Sequence, residues 1–290
     1  MAAAKKFAEK WAIYDGSTNT VLNADEGSDM GLDDVVRNGN GITGRRSPAM
    51  VRMRQGERMA SGNLSLLVNG SDLDVLLPFI TGGTKGVGDL YSLANTVSTF
   101  SVKRHADTQG FTYSGCKINQ ATFAAASKGF LKVGLGIMGA DESEGAVSLA
   151  DRLDTKSPYV FEDGVFEIED DAYSVDGMVV TIGHNLVPKF FNNLTPQRFT
   201  EGPRDITVEL QFPYGDAAAL RNRAVTGSKF EATFTNGSDI FKIQVDSLVY
   251  PKSRLTLSEN EFGFTLRGLG CEVIDTGAYV QPIKFYNTVV

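Results

Sequence analysis

The feature of the sequence that most constrains the fold is an internal repeat. Residues 121–136 have the sequence ATFAAASKGFLKVGLG, and residues 255–270, which lie 134 positions later, have the sequence LTLSENEFGFTLRGLG. Both stretches contain two runs with β-strand character, a Gly-Phe pair and a final Gly-Leu-Gly at matching positions. The match predicts that one β-rich unit occurs twice in the chain.

A second pair of similar stretches lies upstream of the first pair, in the same order. Residues 56–66 (GERMASGNLSL) match residues 202–212 (GPRDITVELQF), 146 positions later. Leu64 aligns with Leu210 in this match, and both belong to an alternating apolar pattern. Two matched blocks in the same order support a duplication more strongly than either block alone.

Each upstream block is followed by a segment with helix signals. In the first copy, SDLDVLLPFITGG offers Ser71 or Asp72 as the N-cap. In the second copy, DAAALRNRAVTG begins with Asp216 and ends with Gly227, a residue type that favours the left-handed conformation after a helix. We therefore predict one packed helix in each unit.

The rest of each unit has the alternation that is typical of β-strands. In the second unit, KFEATF and DIFKIQV flank Asn236-Gly237, a pair that favours a two-residue hairpin turn. The segment GMVVTIGHNL, residues 177–186, supplies the first strand of that unit. The predicted fold is mainly β with minor α, consisting of two similar β-sandwich or barrel units, each with one packed helix, and a long N-terminal arm or loop.

Changes in composition set the predicted boundaries of these units. Residues 15–50 are rich in Gly, Asn, Asp and Ser and show few periodic apolar residues, which indicates an irregular arm. The predicted segments are an N-terminal arm at 1–55, a first unit at 56–140, a connecting segment at 141–175 and a second unit at 176–290.

The connecting segment is strongly acidic. Residues 141–171 contain 11 Asp or Glu residues, against Arg152 and Lys156 as the basic ones. The segment also contains Tyr159 and Phe166, so we expect it to be partly ordered rather than a bare linker.

One motif suggests a different class of protein. Gly134, Gly136 and Gly139 spell Gly-x-Gly-x-x-Gly after a short apolar run, which is typical of a dinucleotide-binding loop, so the alternative function is an NAD(P)- or nucleotide-binding enzyme. The surrounding sequence lacks the alternation of strands and helices that such a loop needs. The other copy of the repeat keeps Gly268 and Gly270 but not the third glycine. We interpret these glycines as markers of a repeated strand and expect no cofactor.

Other catalytic or metal-binding patterns are missing from the sequence. The two histidines, His105 and His184, have no partners at ligand or triad spacing, and two cysteines, Cys116 and Cys271, are too few for a zinc site or a disulfide framework. The loop GGTKGVG at residues 82–88 lacks the spacing of a phosphate-binding loop. We predict no catalytic residue and no enzyme activity.

The charge of the chain limits its partners. The 290 residues include 35 acidic and 28 basic ones, a formal charge of −7, whereas proteins that hold nucleic acid usually carry a basic surface. No run of 18 apolar residues is present, and the first residues lack the apolar core of a signal peptide. We expect a soluble protein, made inside the cell, with no membrane partner.

Five arginines cluster locally in this acidic chain: Arg45, Arg46, Arg52, Arg54 and Arg58. They could grip DNA, or they could form a docking arm that pairs with acidic surface on a neighbouring copy. The overall negative charge favours the docking arm. We predict that this cluster contacts another subunit.

The order of these blocks resembles that of phage major tail tube proteins. The resemblance extends from about residue 50 to 275 and rests on the order of the blocks rather than on one diagnostic motif. The sequences that carry it are GNLSLLVNGSDLDVLLPFITGG (62–83), FSVKRHADTQGFTYSGCKINQATFAAASKGFLKVGLGIMGADE (100–142) and GPRDITVELQF (202–212).

The resemblance implies a structural virion protein. Proteins of this kind assemble in the host cytoplasm into rings, which stack into a hollow tail tube together with other tail proteins. Genomic DNA passes through the lumen without specific binding, which suits a negatively charged chain. The arginine cluster would then lie between rings or subunits.

The apparent duplication departs from a family in which many members carry one copy of the fold. The resemblance implies a ring of six folds, so three duplicated chains would close one ring, and six whole chains are the alternative. A monomeric ligand-binding β-barrel is a third, different hypothesis.

Overall fold

The computed structural model describes residues 9–38, 53–152, 156–213, 225–251, 255–258, 261–275 and 278–290. Within these residues the chain forms twenty-two β-strands, one α-helix and two short 3-10 helices. The predicted fold class, mainly β with minor α, is confirmed.

The elements are numbered in chain order. The first half contains β1 (Glu9–Tyr14), β2 (Asn19–Leu22), β3 (Asp29–Asn38), β4 (Met53–Leu67), α1 (Gly70–Thr81), β5 (Leu90–Ser92), β6 (Phe100–Ala106), β7 (Gln109–Ala126), β8 (Lys132–Gly139) and β9 (Asp141–Gly145). The second half contains β10 (Gly164–Ile168), β11 (Asp171–Ala172), β12 (Gly177–Gly183), β13 (Val187–Lys189), β14 (Arg198–Thr200), β15 (Asp205–Pro213), β16 (Val225–Asn236), β17 (Asp239–Tyr250), β18 (Leu255–Ser258), β19 (Glu261–Gly270), β20 (Val273–Asp275), β21 (Ala278–Val280) and β22 (Lys284–Thr288). The 3-10 helices are Val87–Asp89 and Phe161–Asp163.

Eight antiparallel strands form the main sheet, in the order β3–β4–β8–β7–β12–β15–β19–β18. Because successive side chains in a strand point to opposite faces, one face of this sheet packs on the core and the other face is open. Directly paired residues cross the open face in a row formed by Ser65, Gly134, Thr122, Thr181 and Thr207. We call this side the open face.

Two further sheets cover the core, with strand orders β2–β1–β6–β7–β9 and β11–β10–β16–β17–β22–β5. The long strands β7 and β17 each belong to two sheets. β7 pairs with β6 as far as Cys116 and with β8 from Lys117 onward, and Gly115 at this bend has a φ of 62°. β17 pairs with β22 over residues 240–244 and with β19 at residues 248–249.

The same set of strand pairings occurs twice along the chain. The pairs β1–β2, β1–β6, β6–β7, β7–β8, β8–β4 and β4–β3 correspond to β10–β11, β10–β16, β16–β17, β17–β19, β19–β15 and β15–β12. The two long hairpins even share an irregularity, a register shift between Phe100 and Val102 in one and between Ser228 and Phe230 in the other. The two sets of strands meet where β7 pairs with β12.

A single hydrophobic core joins both halves of the chain. The ring of Phe123, on β7, lies 5.2 Å from that of Phe285 on β22, and Phe285 stacks on Phe241 of β17 at 6.2 Å. All three side chains are completely buried. Burial on this scale makes the aromatic contact between the halves a large contribution to folding.

The N-cap of α1 lies two or three residues earlier than the sequence suggested. Asn69 is its N-cap, because the Asn69 side chain accepts a hydrogen bond from the Asp72 N–H at 3.1 Å while the Asp72 carboxylate accepts one from the Asn69 N–H at 3.2 Å. The prediction of Ser71 or Asp72 as the N-cap was therefore wrong, although Asp72 belongs to the cap. Gly82 ends the helix with a φ of 76°.

Part of the predicted N-terminal arm is a pair of strands. Residues 15–50 were expected to be irregular, but β2 and β3 lie within them, and the long β3–β4 hairpin is part of the main sheet. Met30 is the one buried residue among the described side chains of β3. A strand at a sheet edge needs few apolar residues, which explains why the apolar pattern did not reveal it.

The helix predicted over residues 216–227 falls mostly on residues 216–224, which lie outside the described residues. Gly227, its predicted terminator, does have a left-handed φ of 85°, but it lies inside β16, beside the register shift between Val225 and Ser228. Gly227 therefore serves a bulge in a strand rather than the end of a helix.

Several local predictions are confirmed. Asn236 pairs with Asp239 across a tight turn in which Gly237 has a φ of 63°. β12, Gly177–Gly183, lies within residues 177–186, which were predicted to contain a strand. The acidic segment is partly ordered, since β9, β10 and β11 lie in or next to it and Tyr159 is completely buried.

Candidate functional site: the open face of the main sheet

The glycine motif that suggested a cofactor loop lies inside the main sheet. Gly134, Gly136 and Gly139 belong to β8, which pairs with β4 on one side and β7 on the other. A dinucleotide loop needs backbone N–H groups that are free at the start of a helix. Here the strand β9 follows, and the backbone donors of β8 are used by the sheet. This geometry does not form a pyrophosphate site.

The two Gly-Leu-Gly sequences do not occupy matching positions. Leu135 is 1 % exposed and faces the core, whereas Leu269 is 58 % exposed on the open face. Leu135 pairs with β4 in the same way as Leu266, and not Leu269, pairs with β15. The alignment of the two Gly-Leu-Gly sequences is therefore three residues out of register with the strand pairing. Gly134 consequently lies on the open face, and Gly268 lies in the core.

The open face consists mostly of small and polar residues. Around Gly134 and Gly136, a shallow depression of about 210 Å³ is lined by Ser65, Gln120 and Thr122, because the glycines have no side chains to fill it. Further members of the face are Asn63, Ala124, Val179, Thr181, Thr207, Glu209, Gln211, Thr265 and Arg267. Sequence reasoning did not single out these residues, although the alternation of small polar positions in β7 and β15 was an available signal.

Acidic partners neutralise the basic side chains of the open face. On β7, β8, β12, β15 and β19 the described cations pair at short range: Lys117 with Glu201 at 2.6 Å, Lys132 with Asp25 at 2.6 Å and Arg267 with Glu209 at 3.0 Å. The hydrogen bond from Lys132 lowers the pKa of the Asp25 carboxyl below its ordinary value.

This pairing limits what the face can bind. Affinity for a nucleic-acid backbone comes mainly from Lys and Arg side chains that can neutralise phosphates. On the strands named above, each such side chain already has a carboxylate partner. On the described residues of these strands the face therefore leaves no basic side chain without a carboxylate partner to bind a phosphate.

The structure describes two of the five clustered arginines. Arg54 is exposed on β4, and the Arg58 guanidinium lies 3.2 Å from the Asp141 carboxylate while its backbone N–H donates to the Leu194 carbonyl at 2.8 Å. The other members, Arg45, Arg46 and Arg52, lie outside the described residues. Arg58 thus holds the first part of β4, residues 53–59 (the β4 arm), against two other segments of its own chain.

The titratable candidates are parts of the core. His184 is buried, its Nε2 lies 2.8 Å from the Ile80 carbonyl oxygen, and burial together with the nearby Arg204 lowers its pKa to about 4. Burial raises the pKa of the Cys116 thiol to about 12, which keeps it protonated and unreactive. His105 lies in β6. Among the described residues no three His, Cys, Asp or Glu side chains group as metal ligands.

The glycine-rich loop after α1 does not offer a free cation either. The Lys85 ammonium in this loop lies 3.1 Å from the Asp74 carboxylate and 3.2 Å from that of Asp89. Since a phosphate cradle needs its lysine for the ligand, this loop is better explained as the connection between α1 and β5.

These features define a class of protein: a mainly β protein with an eight-stranded antiparallel sheet that has one open face and, in its described part, an unpaired strand at each end. The family model for phage tail tube proteins matches residues 16–266. That match covers most of the chain, so the chain belongs to the phage tail tube protein family, as the resemblance predicted. Its role is therefore structural, as a component of the virion tail.

A search of the curated proteins gives no match. Among the helices that the structure describes, none has the length and apolar character needed to cross a bilayer.

Proposed function

We propose that this chain assembles with copies of itself into rings, and that the stacked rings form a tube for delivery of the phage genome. Membership of the tail tube family supports the structural role. The observation that best supports assembly into a ring is the main sheet, which has one open face and, in its described part, one unpaired strand at each end. A sheet of this kind can lose its edges by joining others in a closed barrel.

The recurring strand pairings support two copies of the tube fold in one chain. The buried residues of the first strand correspond in the two copies, with Trp11 and Ile13 on β1 and Phe166 and Ile168 on β10. We therefore propose that the first unit spans β1 to β9 and the second β10 to β22. Both units begin earlier in the chain than the boundaries that composition suggested.

A ring of three chains follows from this duplication. If a tube ring needs six folds, as the family resemblance implies, three chains with two folds each would close it with pseudo-sixfold symmetry. A ring of six whole chains is the alternative. In either ring the partner of each chain is another copy of itself, and other tail proteins would cap the ends of the tube.

The open face is the surface that we assign to the lumen. Its small polar side chains and its neutralised cations suit a passage through which DNA slides, since an unpaired basic lining would hold phosphates. The formal charge of −7 acts in the same direction. DNA would pass without specific binding.

The arginine cluster is assigned to contacts between rings or subunits. Arg54 lies on the β4 arm, residues 53–59, which extends past the last residue of β4 that pairs with β8, Ala60, while Arg58 on the same arm is paired with Asp141 of its own chain and holds the arm in place. This arm, which pairs with β3 but not with β8, would present Arg54 to the acidic surface of a neighbouring copy. Assembly would take place in the host cytoplasm before the tail is complete.

Negative-stain imaging of the purified protein tests the proposal. We expect rings or tubes without any added cofactor. A monodisperse monomer whose melting temperature rises in the presence of NAD would overturn the proposal in favour of a dinucleotide-binding enzyme.

A further inference from the structure

The main sheet ends in two strands that each lack a second partner. Within the described residues, β3 pairs only with β4, and β18 pairs only with β19. An edge strand presents unpaired N–H and C=O groups that can pair with another chain. These two strands stand at opposite ends of the eight-strand order, so each needs its partner from elsewhere.

One pair of strands within the chain shows how such edges can join. β7 and β12 join the two units through seven consecutive antiparallel pairs, from Ala126 with Gly177 to Gln120 with Gly183. In the recurring topology, β12 is the counterpart of β3, and β7 is the counterpart of β17 and β18 together. The free ends of the sheet are therefore the same two kinds of strand that meet at the internal junction.

The first half of the register comes from β18. In the first unit Phe123 pairs with Val133, which pairs with β4. In the second unit Leu255 pairs with Phe264, which pairs with β15 at the matching position. Phe123 and Leu255 therefore hold the same place in their units. At the internal junction Phe123 lies opposite Val180 of β12.

The second half of the register comes from β3. Met30 and Val180 hold the same place, because Met30 pairs with Gly62 of β4 and Val180 pairs with Val208 of β15, and these partners are at matching positions of the two units. Met30 is 2 % exposed and Val180 is completely buried, so both point to the core side.

We propose that β18 of one copy pairs antiparallel with the start of β3 and the residues just before it in the next copy, in the register of the internal junction. This inference rests on the proposed self-assembly and specifies its interface. Leu255 would lie opposite Met30, Thr256 opposite Asp29 and Leu257 opposite Ser28. The contact is head to tail, so repeating it around a ring pairs both edges of every copy.

The alternation of side chains makes this register specific. A shift of one residue would place side chains that point to the core side of β3 opposite side chains that point to the open face of β18, which a continuous pleated sheet does not allow, because pairing with β4 already fixes the direction of Met30. A shift of two residues would keep the faces but separate the expected partners to diagonal positions, about 7–8 Å apart.

Engineered disulfides test the register. In a Cys271→Ser background, the pair Asp29→Cys and Thr256→Cys lies directly opposite in the proposed register, at a separation that a disulfide can span. The matched control, Asp33→Cys with Thr256→Cys, displaces one cysteine by four residues along β3. Both proteins would be assembled under reducing conditions, imaged, oxidised and separated on a non-reducing gel.

We expect the first pair to form intermolecular crosslinks in a ladder that ends at the ring, and the control to form about tenfold fewer. Hydrogen exchange of the unmodified chain gives a second measurement, since backbone amides at 27–33 and 255–258 should become protected on assembly.

The outcomes separate this inference from the proposed function. If rings form but the control crosslinks as well as the first pair, or these amides exchange as fast as before assembly, the register is wrong and the ring stands. If the parent protein forms no rings and the cysteine variants form no intermolecular crosslinks, the proposed self-assembly fails and the interface fails with it.

Discussion

Gly268 packs directly against Leu248. A Cβ atom added to Gly268 would lie 2.5 Å from Leu248 Cδ1 and 2.7 Å from its Cγ, closer than carbon atoms approach in folded proteins. Leu248 is completely buried, so it has little room to move away. The glycine at this position therefore allows β19 to lie close to β17.

Replacing this glycine should destabilise the protein, whereas replacing its apparent equivalent should not. We expect Gly268→Ala to lower the free energy of unfolding by about 1–3 kcal/mol, because it overpacks the core. Gly134→Ala is the matched control, since a Cβ there would meet only Thr122 at an ordinary 3.9 Å, and its effect should stay within about 0.5 kcal/mol. Urea unfolding of the unassembled variants measures both, and equal midpoints for the two would contradict the packing difference.

A buried ion pair holds the start of α1. Arg152 contacts Asp72 with both guanidinium nitrogens, Nη1 to Oδ1 at 2.6 Å and Nη2 to Oδ2 at 3.0 Å, and Asp72 is 4 % exposed. We expect Arg152→Ala to cost about 3 kcal/mol, because it leaves a buried carboxylate without its cation. Lys10→Ala is the control, since its partner Asp151 is 89 % exposed and surface pairs contribute about 1 kcal/mol or less. Thermal unfolding that does not distinguish the two variants would show that the buried pair contributes little.

His184 should make the stability depend on pH. Its pKa is lowered from 6.5 to about 4 in the folded chain, so the unfolded chain binds this proton at higher pH than the folded chain does. The contribution of neutral His184 to the free energy of unfolding is complete above about pH 6.5 and is lost as the pH falls toward 4. Between pH 7 and 4.5 we expect the parent to lose about 2 kcal/mol more than His184→Gln, which keeps a donor for the Ile80 carbonyl. Identical pH profiles of urea unfolding for parent and variant would rule out this role.

Removing the partner of Arg267 should make the open face retain DNA. Glu209→Gln leaves the Arg267 guanidinium, which is 76 % exposed, without its carboxylate. We expect assembled tubes of this variant to retain a short DNA duplex in a sedimentation assay at low salt and to release it at about 0.2 M salt. Asp151→Asn is the control, because it makes the same change in net charge at Lys10 of β1, outside the main sheet. Equal retention by both variants would show that the open face does not line the lumen.

The sequence predicted the strands and turns well where local chemistry determines them. The Asn236-Gly237 turn needs no information from the rest of the chain, because these residue types favour the left-handed conformation that a tight hairpin requires. The upstream match aligns Leu64 with Leu210, and both residues are buried and pair with a leucine of the next strand, Leu135 and Leu266 respectively.

Other features depend on tertiary pairing and were beyond the sequence patterns. Trp11 and Phe166 hold corresponding places in the recurring strand pairings, but an indole and a phenyl ring on strands of different sequence give no match by letters. The downstream alignment rested on the shared Gly-Leu-Gly sequence and was out of register. It aligned Leu135, which lies in the core, with Leu269, which lies on the open face. The open face itself could not be located until the pairing of the strands fixed which side is buried.

The most direct test of two tube folds in each chain is a cryo-electron microscopy map of the assembled tube at side-chain detail, reconstructed without imposing sixfold symmetry. Trp11 and Phe166 occupy corresponding places in the two units, so we expect indole and phenyl density to alternate around each ring, with three of each. Six equivalent indole densities in one ring would contradict the trimer of duplicated chains.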